Sequence, residues 1–228
     1  MRPEAACGKI RCQATIEREL RARGFHGVAG VDEVGRGSLF GPVVAAAVIL
    51  SSDRSIRGLN DSKLLEPARR ETLAERIRER ALAWAVAAVD AATIDSINIY
   101  QASRQAMRMA VCRLNPAPDF LLVDALSLDL DLPQRALIKG DARCHAIAAA
   151  SILAKVWRDE LMRVWDTVFP AYGLASHKGY STPEHLEALR EFGPTPLHRL
   201  SFEPVRAFSR ILLDSNPQME LFATAAAV

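Results

Sequence analysis

The sequence predicts an α/β protein with a mixed central sheet flanked by helices. Short apolar runs recur at 28–32, 43–50, 81–89, 119–125 and 135–141, most of them bounded by glycine, proline, serine or an acid. Between them lie segments with helical periodicity or exposed-helix charge alternation. Three of the runs close on a carboxylate, the place where α/β folds gather functional groups.

Residues 13–23 read as a short polar helix ended by Gly24. Val28–Asp32 and Val43–Leu50 read as strands, and 58–63, "GLNDSK", as a loop. Pro67 suits the first turn of a helix that runs to about Arg80 through "RRETLAERIRER". Periodicity leaves 81–89, "ALAWAVAAV", ambiguous. Its length, and Asp95 read as the cap of a helix over 96–113, favour a strand. Inside that helix Ile99, Ala102, Ala106, Met107 and Ala110 keep a 3.6-residue period. Residues 119–125 and 135–141 read as strands, and 142–165 is the strongest helical segment. Loops and short helical pieces rich in Pro, Gly and His follow.

Composition narrows the function. Half of the 228 residues are hydrophobic, enough to bury the core of one domain or of one domain with a small appendage. Lys and Arg number 29 against 27 acids, so any basic surface for nucleic acid has to be local. Residues 1–24 hold six Lys/Arg against three Glu, a mild excess that reads as a solvated helix face. Cys7, Cys12, Cys112 and Cys144 have no zinc-type spacing and read as reduced cysteines of a cytoplasmic protein. No run reaches the roughly 18 apolar residues of a membrane span, and no signal-peptide core is present.

The stretch "GVDEVGRGSLFGP" (30–42) concentrates the chemistry. Its glycines follow G-x-G-x-x-x-G and lead into Pro42 and a strand, so the helix N-terminus of a dinucleotide loop is missing. Neither a Walker A lysine loop nor a G-x-S-x-G elbow occurs. Asp32, Glu33, Asp124 and Asp141 stand at strand ends, where four carboxylates repel unless a cation holds them. Hard divalent ions, Mg²⁺ or Mn²⁺, suit such oxygens, and two of them serve phosphodiester hydrolysis. Taken singly, each acid is also an ordinary turn residue, and Asp141 an ordinary N-cap. Gly35 and Gly37 let backbone groups approach a ligand such as a ribose 2′-OH, the hydroxyl that separates RNA from DNA.

"GVDEVGRG", "DSK" (61–63), "LLVDA" (121–125), "KGDARCHAIAAASILAKVWRD" (139–159), "HKGYSTPEH" (177–185) and "LHRLSF" (197–202) occur in the order found in bacterial ribonuclease HII. The resemblance covers roughly residues 26–208. It implies a ribonuclease H-like fold with a helical C-terminal part; outside it, residues 1–25 read as a helical extension and 209–228 as a flexible tail. It also implies metal-dependent cleavage of RNA in RNA–DNA hybrids and 5′ of ribonucleotides embedded in duplex DNA, leaving 5′-phosphate and 3′-hydroxyl ends. Asp32, Glu33, Asp124 and Asp141 match the family's metal-site carboxylates. Gly35, Arg36 and Gly37 match its loop that reads the 2′-OH at an RNA–DNA junction, and Tyr180 the tyrosine that packs on the next sugar. Ser151 and Lys155 share a helix face used for backbone phosphates; Lys63 is a weaker match of the same kind.

The chain departs from the family pattern at Ser38 (usually proline), Phe40 (usually alanine) and Ala125 (usually glycine). None removes a ligand. In the tail, "QMELF" (218–222) resembles the bacterial sliding-clamp pentapeptide, with Gln218, Leu221 and Phe222 as anchors. The family is generally monomeric. Two other readings stay open at this level: a different ribonuclease H-fold nuclease such as a junction resolvase, and a nucleic-acid-binding module whose acids are structural.

Overall fold

The computed structural model describes residues 12–215, the last six by backbone alone. Helix α1 is Thr15–Ala22 and strands β1 and β2 are Val28–Val34 and Val43–Leu50. Helix α2 (Pro67–Arg80) leads directly into β3 (Ala81–Val89), followed by α3 (Ala91–Ile97) and α4 (Ile99–Cys112). Strands β4 (Phe120–Asp124) and β5 (Gln134–Leu137) precede the 24-residue α5 (His145–Val168). Helices α6 (Leu174–His177), α7 (Pro183–Phe192) and α8 (Glu203–Ser215) complete the chain.

The strands form one sheet in the order β3-β2-β1-β4-β5. Strand β1 runs antiparallel to β2 and parallel to β4, and β4 is parallel to β5, so the sheet is mixed as predicted. The described residues divide into two compact units. The first comprises the chain up to Val34 with Val44–Ala87 and Ala106–Val156; the second comprises Gly35–Val43, Ala88–Gln105 and the chain from Trp157 onward.

In the first unit the parallel centre of the sheet is apolar on both faces, as the continuous runs require. Val28, Phe120, Leu122 and Leu137 pack with Leu20 of α1 and Ala146 and Ile147 of α5. Close approach depends on small residues: a Cβ on Gly30 would overlap the Ala146–Ile147 peptide. Glu17 of α1 takes the Ala146 N–H at 2.8 Å, so the start of α5 is capped from another helix. In the second unit Leu39, Phe40, Met162, Leu174, Leu189 and Val205 form a separate core.

Several boundaries differ from expectation. The predicted helix over 96–113 is two helices, broken at Asn98, whose φ is +69°. The cap is Asp90, which accepts from Thr93 N at 2.7 Å, and not Asp95. Asp95 instead accepts from the Leu200 and Ser201 N–H groups at 2.8 and 2.9 Å, a tertiary role invisible to local pattern. The predicted strand over 135–141 ends at Leu137, because Lys139 is left-handed and Gly140–Ala142 form a 3₁₀ turn. The long helix accordingly starts at His145 and runs to Val168.

Candidate functional site

In the first unit the sequence's four acids converge on the ends of β1, β4 and the turn before α5. The last rung of the parallel β1–β4 ladder, Val31 with Val123, leaves Asp32 and Asp124 as the next residue on each strand. Asp32 is buried; its Oδ1 accepts from Glu33 N at 2.8 Å, and the Ser151 hydroxyl also bonds its carboxylate. Burial first, then the charges of Glu33 and Asp124, push the Asp32 carboxyl well above the usual carboxylate range.

Asp124 Oδ1 accepts from Gly140 N at 2.7 Å. Gly140 has no room for a side chain, since a Cβ would sit 3.2 Å from that oxygen and 2.5 Å from Ile147 Cδ1. Asp141 is buried and accepts from Ala142 N at 2.9 Å. Burial raises both acids, and Asp61 raises them further; Lys63 opposes the shift in each. Lys63 is thus an electrostatic neighbour of the acids, which gives its weak sequence match a physical setting.

Ser151 meets Ser62 Oγ at 2.9 Å besides bonding Asp32, so its hydroxyl orients the first acid within the structure. Lys155 lies one helical turn further along α5. Sequence reasoning missed Asp61 and Ser62. Asp61 caps the 3₁₀ turn Ser62–Leu64 by accepting from Lys63 N, and the "DSK" triplet was the signal available.

Among the described residues no three Asp, Glu, His or Cys side chains are gathered as the ligands of a single ion. The carboxylates act on one another pairwise, Asp32 with Glu33 and with Asp124, and Asp141 with Asp124. The donor set is all oxygen, desolvated and mutually repelling, which fits a hard divalent cation and not zinc.

The second unit holds the glycine loop and Tyr180. Gly35 has φ +87°, and a Cβ there would fall 2.8 Å from Cδ of Arg158 and nearer still to Nε. Gly37 meets nothing within 4 Å at its Cβ position. Interior packing therefore demands glycine at 35 and does not demand it at 37.

Arg158 is completely buried and threads this loop to the Tyr180 segment. It donates to Pro42 O at 3.2 Å, Lys178 O at 2.9 Å, Phe40 O at 3.1 Å and Ser38 Oγ at 2.7 Å. Its guanidinium also stands 5.6 Å from the Tyr180 ring centroid, a cation–π distance. A second buried arginine, Arg199, donates to Arg36 O at 2.8 Å and Gly41 O at 3.0 Å. Burial and the neighbouring Arg158 charge lower Arg199 to about 9. Both arginines escaped sequence reasoning, since an Arg in a charged helix or polar loop reads as solvated.

The departures from the family pattern have local accounts. Ser38 is buried with its hydroxyl shared among Arg158, Phe40 O and Gly179 O. Phe40 is buried in the second unit's core, edge-on to His198 and Phe169 at 4.9 and 5.9 Å. Ala125 follows Asp124 at φ +52°, the left-handed region in which glycine is at ease. Residues 218–222 lie outside the described residues.

Comparison with known proteins gives a consistent set. Residues 29–205 match the family model Ribonuclease HII. The Ribonuclease HII of Solibacter usitatus is 76% identical over 227 residues, covering 100% of both chains. The ribonuclease H2 from Pyrococcus horikoshii OT3 superposes with TM-score 0.69 at 27% identity, over 80% of this chain and 97% of its own. The RNase HII of Archaeoglobus fulgidus, solved in complex with PCNA, gives 0.67 at 29% identity, over 79% and 96%.

Proposed function

The chain belongs to the ribonuclease HII family, and on that premise we propose that Asp32, Glu33, Asp124 and Asp141 hold two divalent cations while Gly35, Arg36, Gly37 and Tyr180 read the ribonucleotide. The enzyme hydrolyses the RNA of RNA–DNA hybrids and removes ribonucleotides from DNA. The finer reading is a cut on the 5′ side of an embedded ribonucleotide, leaving 5′-phosphate and 3′-hydroxyl ends. Bound Mg²⁺ or Mn²⁺ would supply an activated water and neutralise the leaving oxygen.

The chain's own groups prepare that chemistry. Ser151 and the Glu33 N–H fix the orientation of Asp32, and the Gly140 N–H does the same for Asp124. Lys63 tempers the charge around Asp124 and Asp141. In the chain, Gly35 follows Glu33 by two residues. Arg199, by donating to the Arg36 carbonyl, polarises the 36–37 peptide and strengthens the Gly37 N–H as a donor to a 2′-OH.

The observation that supports the metal reading best is the desolvation and mutual repulsion of Asp32, Asp124 and Asp141, each carboxyl raised by its surroundings. A Mn²⁺ titration followed by thermal unfolding tests it. Stability should climb with ion concentration in the wild type, because the folded state alone presents the acids together. In Asp141→Asn the climb should shift to higher concentration. Identical curves for both proteins would remove Asp141 from the set. Further parts of the reading are a monomer in the cytoplasm and docking of Gln218, Leu221 and Phe222 on a sliding clamp. The archaeal relative's complex with PCNA is in keeping with a clamp partner.

A further inference from the structure

A cleft of about 730 Å³ opens in the first unit between α1, the loop after β2 and the start of α5. Its walls carry Arg18 and Arg21 from α1, Arg54 and Arg57 from the loop, and His145 at the head of α5. Four arginines among the residues lining one cleft stand out in a chain whose net charge is +2. The sequence excess over 1–24 is thus continued by a second basic segment distant in the chain.

The charge is not neutralised locally. Arg21 donates to Leu50 O at 2.9 Å and Arg18 to Ala14 O at 3.3 Å, both carbonyls. Arg54 and Arg57 have no partner among the described residues. The loop's own acid, Asp53, is outside the lining and takes the Ser52 hydroxyl. The lining's one carboxylate, Glu17, is committed at Oε1 to Ala146 N and Cys144; its Oε2 is buried without a hydrogen-bond partner. Residues 1–11 carry three Lys/Arg and one Glu, a net positive charge.

Arginine forks suit phosphate oxygens, and the volume falls within the range of ordinary ligand sites. His145 is four residues past Asp141, which limits their Cα separation to about 14 Å. At about 3.4 Å per base pair that is roughly four base pairs along a duplex. We propose that this cleft is a phosphate subsite in which Arg18, Arg21, Arg54 and Arg57 grip the sugar–phosphate backbone of a duplex arm leaving the acid site. It rests on the ribonucleotide-cleaving reading and adds to it a second, sequence-independent contact.

The double variant Arg54→Ala/Arg57→Ala tests it, with duplexes carrying one ribonucleotide and arms of about three or about twelve base pairs on each side in turn. For one arm direction, the long-to-short ratio of kcat/KM should fall about tenfold relative to wild type. Duplex affinity, measured by anisotropy in Ca²⁺ across a salt series, should lose about two from its log–log slope, about 0.9 for each phosphate contact removed. Unchanged ratios and unchanged slope would overturn the proposal. So would an ATP-induced thermal shift that vanishes in the variant while duplex affinity stays put, since the cleft would then serve a free nucleotide. Failure of the wild type itself to cleave, with the slope change still present, would strike the cleavage reading and leave the subsite standing.

Discussion

The side chain that Gly35 lacks is replaced in space by Arg158: a Cβ there would meet Cδ at 2.8 Å, with Nε closer. The arginine is fully buried and holds four acceptors around it, so it has nowhere to retreat. Gly35→Ala should therefore lose more than the roughly 1–2 kcal/mol of a left-handed alanine. Chemical denaturation measures this, and a loss below 1 kcal/mol would contradict the packing account.

Gly37 gives the opposite expectation, because open space surrounds its Cβ position. Gly37→Ala should leave the unfolding midpoint within about 0.5 kcal/mol of wild type, as for ordinary surface changes. If a ribose approaches the loop there, the added methyl should lower junction cleavage at least tenfold. Full activity would remove Gly37 from the reading loop.

Arg158→Lys keeps a positive charge but loses the planar fork. The carbonyls of Pro42, Phe40 and Lys178 and the Ser38 hydroxyl would face the three hydrogens of one ammonium, so at least one of these four acceptors would lose its bond. The expected loss is about 2–3 kcal/mol. A smaller loss than that of Arg190→Lys, at an exposed ion pair with Glu187, would refute it.

Ala125 stands at φ +52°, in the left-handed region that favours glycine. Ala125→Gly should stabilise the protein by up to about 1 kcal/mol, since relief of a left-handed alanine outweighs glycine's greater unfolded-state freedom. Differential scanning calorimetry of the pair decides the sign, and a lower Tm for the glycine variant would contradict the strain argument.

His185 and His198 face each other Nε2 to Nε2 at 3.1 Å. Burial lowers His185 to about 4 and His198 to about 3; in His198 the neighbouring His185 adds to the effect. An unfolded histidine titrates near about 6.5, so between these values the unfolded chain binds more protons and stability rises with pH. The contribution is complete above about 6.5 and declines as pH falls toward about 4 and 3. His198→Asn should show a shallower fall in unfolding free energy from pH 7 to pH 5 than wild type. Equal slopes would contradict the neutral pair.

The acids were legible in the sequence because each ends an apolar run, where burial and position can be read together. Ala125 was legible only as a departure, and its backbone angle supplies the reason. Arg158, Arg199 and Asp95 were illegible. Their roles come from partners 20 to 163 positions away in the chain, as in Arg158 with Lys178 and Arg199 with Arg36. Local pattern instead assigned the cap to Asp95 because it placed the helix start at 96, whereas the helix starts at Ala91 and Asp95 lies within it.

The central claim is that the strand-end acids perform phosphodiester cleavage at a ribonucleotide. Its most direct test is cleavage of a DNA duplex carrying one ribonucleotide, with Mg²⁺ or Mn²⁺, by wild type and by Asp124→Asn. A cut 5′ of the ribonucleotide by the wild type, lost at least a thousandfold in a variant that folds normally, is the result predicted. Comparable cutting by both proteins would contradict the role given to Asp124 and the account built on it.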